Sequence, residues 1–207
     1  EYGSGPNLRK LYGTYTVGAH EFLVGQTYTP LAYRFYSNQA FATDDGLLGA
    51  GNVYTGRDPM LQWKMGGLRV ALVTPVVDDL SFGEGFGEGL TTDADSVIPQ
   101  IEARYVYKTD AFALDVFGGA NTYNIEENIS GEDDTVTAYI LGLGGETNFG
   151  PGYFKAQAFL ARNGAQMGDS TWGGDNSATV TAGQINDNDG WGGVAVIGFK
   201  ATDAMTI

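Results

Sequence analysis

Few residues of this chain have the types and spacing that could do chemistry. The single histidine, His20, is the natural general base, but a Ser-His arrangement needs a carboxylate to orient the imidazole. Adjacent Glu21 cannot serve, because neighbouring residues of a strand point to opposite faces. With no cysteine in the chain, thiolate nucleophiles, thiolate metal sites and disulfides are excluded. The run Asp187-Asn188-Asp189-Gly190 looks like part of a calcium loop but lacks the later bidentate acid, so it reads first as a polar turn before a strand. No catalytic residue emerges, and an enzyme is not expected.

Charge carries more information than any motif. The segments Asp78 to Asp95, Glu126 to Asp134 and Asp169 to Asp189 hold fifteen of the twenty-five acids and no Lys or Arg. Basic residues sit instead mainly in or beside strand-like runs, at Arg9, Lys10, Lys64, Arg69, Arg104, Lys108, Lys155, Arg162 and Lys200. A single acidic run is an ordinary solvated loop; three of them alternating with basic, strand-like runs ask for an architecture that separates the two. A net charge of −14 also argues against binding a nucleic-acid backbone, which needs clustered Lys and Arg.

The elements that must position these charges alternate between two kinds of connection. Short ones fall near Val17 to His20, Met65 to Gly67, Lys108 to Ala111, Asn148 to Gly152 and Lys200 to Ala204, each joining runs rich in Tyr, Val, Phe, Leu and Thr. Long ones fall at Leu31 to Asp58, Val77 to Ile98, Ile125 to Asp134 and Ala165 to Asp189. A soluble sandwich has no need for strict alternation. A barrel crossing one membrane does, with short turns on the periplasmic side and long loops outside. No apolar run reaches the roughly 20 residues of a membrane helix, and the mean hydropathy of −0.15 suits either a soluble protein or a barrel whose two faces average out.

The period-2 pattern supports the barrel. Ile101, Ala103, Tyr105 and Tyr107 share one face while Gln100, Glu102, Arg104 and Lys108 share the other. Phe112, Leu114 and Val116 oppose Asp115; Phe154, Ala156, Ala158 and Leu160 oppose Lys155 and Gln157; Leu61, Trp63 and Met65 oppose Gln62 and Lys64. Trp63, Tyr105, Tyr107, Tyr153, Trp191 and Phe199 lie towards strand ends, where interface girdles place amphipathic rings. Thr135 to Thr147 and Gly190 to Lys200 are Gly-rich and apolar on both parities, as a subunit interface or a loop packed inside the barrel would require.

At this point the chain resembles the general diffusion porins of Gram-negative outer membranes. The residues that carry the resemblance are the first hairpin, Leu8 to Pro30, whose strand end Val24-Gly25-Gln26-Thr27-Tyr28-Thr29-Pro30 leads into a long loop with Leu47-Leu48-Gly49-Ala50-Gly51-Asn52 at its tip. The resemblance implies an all-β, antiparallel transmembrane barrel of about 16 strands, of which nine complete strands and the start of a tenth are covered here. Residues 1–207 would be one barrel domain, incomplete at both ends, with its first two strands the fourth and fifth of the whole and residues 31–58 the pore-constricting loop.

Function follows as an expectation: a homotrimeric outer-membrane channel for passive diffusion of ions and small hydrophilic solutes, needing no cofactor. By resemblance, Asp44 and Asp45 are the acids of the constriction. Lys10 is the wall base that faces them, since it shares the polar parity of Tyr12 and Thr14 opposite Leu11, Tyr15 and Val17; Arg69 is a second, and Arg34 and Arg57 line the loop base. Membrane lipid and lipopolysaccharide are the implied partners, with divalent ions held loosely by acidic loops as a bridge. Two alternatives stay open. A substrate-selective sugar or anion channel would carry an aromatic ladder, to which Tyr33, Phe35, Tyr36 and Tyr54 could contribute. A soluble secreted β-sandwich or solenoid binding calcium or glycans would instead meet water on its outer strand faces.

Overall fold

The computed structural model describes residues 8–34, 36, 51–77, 93–96, 98–126, 134–168, 177–181, 184–202 and 205–206. Thirteen strands account for most of them: β1 (Leu11–Val17), β2 (His20–Tyr28), β3 (Arg57–Met65), β4 (Leu68–Val73), β5 (Asp93–Asp95), β6 (Gln100–Lys108), β7 (Phe112–Glu126), β8 (Asp134–Phe149), β9 (Gly152–Arg162), β10 (Thr179–Thr181), β11 (Gln184–Asn186), β12 (Asp189–Thr202) and β13 (Met205–Thr206). All but the β10–β11 hairpin belong to one antiparallel sheet in the order β1-β2-β3-β4-β6-β7-β8-β9-β12-β13, with β5 added alongside β7. The sheet is open, with β1 and β13 at its edges.

Each hairpin closes in a few residues at one end. Gly18 and Gly66 take φ of 59° and 56°, a left-handed conformation that a two-residue turn demands and that glycine adopts without a Cβ clash. All the short turns inferred from sequence are present where the residues are described. The long connections are shorter than their composition suggests: Arg57 and Asp58 already belong to β3, β7 runs on to Glu126, and β8 starts at Asp134. Acidic residues disfavour strands only weakly when a partner supplies the ladder, and β7 and β8 pair through Ile125 and Asp134. β5 and the β10–β11 hairpin lie inside two of the long connections, too short to register as periodic runs.

The two faces of the sheet are opposite in chemistry. Outward stand Leu141, Leu143, Val116, Leu114, Tyr105 and Tyr15, with Trp191 and Ile197 exposed to 79% and 76%. Inward and buried stand Gln62, Gln100, Glu102, Arg104, Asp115, Asn121 and Gln157. A soluble sheet buries its apolar face and wets its polar one; here the arrangement is reversed, and a continuous apolar surface of this size belongs in lipid. Trp191, Tyr105, Tyr107 and Phe199 ring the outward face as expected, whereas Tyr153 does not: it shares the inward parity of Lys155, whose ammonium lies 5.5 Å from its ring, and it covers Gly198.

β8 is apolar on both faces because Leu141 and Leu143 belong to the exposed apolar outer face while its inner face is covered by chain. Val136, Ala138 and Ile140 point inward and are fully buried under chain from the long connections. The apolar inner cluster joins Ala138 and Ile140 to Phe117, Phe159 and Ala161 of neighbouring strands and to Leu31, Val53 and Met167 from the connections. A loop packed inside the barrel, one of the two explanations its composition allowed, is what the structure shows.

Candidate functional site

The connection between β2 and β3 builds this site. At its neck the chain leaves and returns through the same point: Thr29 N–H donates to the Gly56 carbonyl at 3.5 Å, and the Thr29 and Thr55 hydroxyls meet at 2.6 Å. Thr29 Oγ1 also accepts Ala32 N–H at 3.3 Å, bending the segment over the rim. From there the connection lies across the inward face of β6 to β9 and reaches β12, where a Cβ on Gly51 would fall on the Gly193 carbonyl.

A series of polar groups on the wall holds it there. Glu102 of β6 accepts Leu31 N–H at 3.0 Å and Gln100 Nε2 at 2.8 Å, and Gln100 Nε2 also donates to the Met167 carbonyl at 3.3 Å. Arg104 Nη1 donates to the Arg34 carbonyl at 3.3 Å. On β7, Asp115 accepts the Tyr36 hydroxyl, and on β9 Gln157 Nε2 donates to the Gly51 carbonyl at 3.1 Å. Arg104 Nε faces Asp115 Oδ2 at 3.2 Å as an ion contact without hydrogen-bond alignment, both side chains fully buried. Wall and loop supply many of one another's partners, which offsets the cost of burying these groups, while Arg104 Nη2 and the amide oxygens of Gln100 and Gln157 have no hydrogen-bond partner among the described residues.

Room for the loop comes from glycine. Tyr36 lies against the backbone of Gly144, where a Cβ would stand 2.6 Å from its Cζ and 2.8 Å from Asp115 Oδ1. The Phe117 ring, with Phe159 Cβ beside it, occupies the space above Gly142 in the same way. The Gly-rich composition of β8 is therefore a packing requirement set by aromatic side chains, one of them on the loop.

A second connection, residues 163–188, closes on the same wall. Asn163, at φ 50° and fully buried, donates to the Thr137 carbonyl at 3.0 Å and to Asp187 Oδ1 at 2.8 Å while its own Oδ1 accepts Asn188 N–H at 2.8 Å. Asn121 Nδ2 donates to the carbonyls of Val76 and Gln166, each at 2.7 Å. Asp187 and Asp189 both pair with Arg162. The calcium-like run is thus engaged in a corner of the chain, and among the described residues no group of acids or histidines could hold a metal ion.

The residues expected at a constriction divide into three groups. Asp44 and Asp45, with Phe35, lie outside the described residues. Arg34 and Arg69 come together on the inner side: Arg34 pairs with Glu146 of β8 at 2.7 Å, and the Arg69 guanidinium lies 3.7 Å from the ring centroid of Tyr33, the residue before Arg34. Lys10 and Arg57 gather on Tyr28 at the base of the loop, at 4.7 Å and 4.6 Å from its ring centroid. Tyr33 lies on Arg69, Tyr36 on Arg34 and Gly144, and Tyr54 on Tyr28. Tyr54 meets Tyr28 edge-on, and burial raises its phenol above the ordinary value while neighbouring Arg57 opposes that shift. Among the described residues His20 has no carboxylate partner: it stacks on Trp63 and accepts Trp63 Nε1 at 3.1 Å, while Glu21 turns inward to Lys64 at 3.5 Å.

A sheet apolar outside and polar inside, with short turns at one end and an infolded connection on its inner wall, defines an antiparallel transmembrane β-barrel, periplasmic at the turns and extracellular at the long connections. No family model and no curated protein matches the chain. Among solved structures it is similar to the outer membrane channel DcaP of Acinetobacter baumannii, at 16% identity and a TM-score of 0.62, over 96% of this chain and 60% of that one. At that identity the likeness is one of fold, and the chain spans about 60% of the channel's length. The fold is that of an outer-membrane channel.

Proposed function

We propose that this chain forms the wall of an outer-membrane porin, a water-filled channel through which small hydrophilic solutes and ions diffuse passively. The observation that carries this reading is the loop pinned across the polar inner face of β6 to β9 while the outer face stays apolar. Residues 31–58 are the element that narrows the lumen. Arg34 and Arg69 stand on its basic side, and Asp44 and Asp45 are its acids. Diffusion through such an opening needs size and charge alone, with no nucleophile or cofactor. Homotrimer assembly, lipid and lipopolysaccharide contact, and residence in a Gram-negative outer membrane belong to the same reading.

Planar-bilayer conductance of the purified protein tests it. Ohmic steps with weak ion preference are expected, and a protein that inserts without conducting would sink the reading. A selective anion channel is the second reading, favoured by the Arg69 guanidinium stacked on Tyr33 beside Arg34. Saturable block of the current by a small carboxylate would distinguish it.

A further inference from the structure

The charges of this wall are sorted along its axis. Towards the short-turn end stand five of the eleven basic residues, Lys64, Arg69, Lys108, Lys155 and Lys200, and all five have the inward parity. Lys64 pairs with Arg69 and Arg69 with Arg104, three cations abreast on β3, β4 and β6. Lys108 pairs with Ala113, and that line continues through Glu146 to Lys155. Lys200 lies two residues beyond Gly198, the partner of Tyr153. Acids are scarce at this end: among the described residues Glu21 takes Lys64 at 3.5 Å, Glu146 takes Arg34 at 2.7 Å, and Asp110 lies in the bend between β6 and β7. Arg69, Lys108 and Lys155 have no carboxylate partner among the described residues.

The opposite end is acidic. Its three acidic runs, spanning the connections from β4 to β6, β7 to β8 and β9 to β12, hold fifteen acids and no Lys or Arg. Arg9, Lys10, Arg57 and Arg162 stand near them, too few to offset that charge, and Arg162 is already held by Asp189 at 2.7 Å and Asp187 at 3.3 Å. The two ends are electrically separate. From Lys108 to Gln100, the first residue of β6, is eight residues, about 26 Å along a strand, against a Debye length of about 10 Å at 0.1 M salt. Each zone therefore gathers its own counter-ions, cations at the outer connections and anions at the turns.

We propose that the pore is polarised along its axis and conducts as a rectifier, passing more current when the extracellular side is positive. The inference rests on the channel reading above. With that polarity, cations leave the acidic zone inward and anions leave the basic zone outward, so both fill the middle of the pore. The reversed voltage draws both away from the middle, which is depleted and conducts poorly. Lys64, Lys108 and Lys155 supply the basic zone together with Arg69; Arg104 adds little, since Asp115 faces it at 3.2 Å and both are buried.

Current–voltage curves of single channels of the purified protein in planar bilayers read the polarity. The chain has no cysteine, so Ala19→Cys in the first short turn, labelled with an impermeant thiol reagent, reports which side is periplasmic. In about 0.1 M potassium chloride the current should be about twofold larger with the extracellular side positive, and the ratio should fall towards one in about 1 M salt, where the Debye length shrinks to about 3 Å. Replacing Lys64, Lys108 and Lys155 together by Gln should bring the low-salt ratio towards one. A linear curve at low salt, the larger current at the opposite polarity, a ratio indifferent to salt, or full rectification in the triple variant would overturn the proposal, and the salt series on the parent protein decides it without the variant. Conduction with a linear curve removes the polarity alone, whereas absence of conduction removes the channel and the polarity with it.

Discussion

The carboxylate of Glu102 on β6 accepts the backbone N–H of Leu31 at 3.0 Å, joining residues 71 positions apart at the neck of the infolded loop. Its other oxygen takes Gln100 Nε2, and no part of the side chain reaches solvent. Glu102→Ala leaves Leu31 N–H buried and unpaired and Gln100 Nε2 with the Met167 carbonyl alone, which costs about 1–3 kcal/mol. Unfolding in urea should show that loss, and the open-channel current should become noisier as the neck loosens. Glu102→Gln retains an acceptor for Leu31 and should lose less. Identical midpoints for all three proteins would mean that the loop is held elsewhere.

Arg104 and Asp115 test the wall beneath the loop. They oppose each other fully buried at 3.2 Å, with Arg104 also over the Phe117 ring at 4.4 Å. Removing either partner strands a buried charge, so Arg104→Met or Asp115→Leu alone should destabilise by about 3–5 kcal/mol. The double variant should recover most of that loss, since two apolar side chains of similar volume need no pairing. A double variant as unstable as the sum of the singles would show that the two act independently.

Both of these residues stood on the polar parity in the sequence, as did Gln100, Glu102 and Gln157, so the lumen-facing wall was legible from alternation alone. Their partners were not. Nothing in the spacing of Leu31, Arg34 or Tyr36 records that they meet β6, β8 and β7, because those contacts span 71 residues or more and depend on how the loop folds back. The clearest local trace of that folding is the Gly-rich stretch of β8, which announced that something lies close without saying what. Lys10 and Arg57 show the same limit. Parity suited Lys10 to a constriction and Arg57 was expected at the loop base, and nothing in their spacing records that both lie on the Tyr28 ring.

Adjacent glycines of β8 allow an internal comparison. Gly144 faces inward beneath Tyr36, whereas Gly145 faces outward, with the flexible end of Leu114 at 3.0 Å. Gly144→Ala must displace an aromatic ring wedged beside Asp115 and should cost about 1–3 kcal/mol, the usual penalty of overpacking. Gly145→Ala asks a lipid-facing leucine to rotate and meets the Ala113 carbonyl at 3.3 Å, and should cost less, about 0.5 kcal/mol. Unfolding midpoints compare the two. If the outward substitution proves the costlier, the assignment of faces on β8 is reversed.

Charge selectivity tests the proposed constriction most directly. Arg34 pairs with Glu146, so neutralising it leaves that carboxylate unpaired and makes the opening more negative by one charge. Arg69 has no carboxylate partner among the described residues and meets only the π face of Tyr33, which leaves its charge to act on passing ions. Arg69→Gln and Arg34→Gln should therefore each shift the reversal potential towards cations. The change in permeability ratio should be about fivefold at most, since one unit charge about 4 Å away in water contributes about 1 kcal/mol. Replacing Asp44 and Asp45 by Asn should move the potential in the opposite direction, towards anions. If the potential is unchanged in the Arg69 variant and in the double Asn variant, the narrowest point of the channel lies away from residues 31–58. A shift of the same sign in both would show that the two sets of charges do not face one opening.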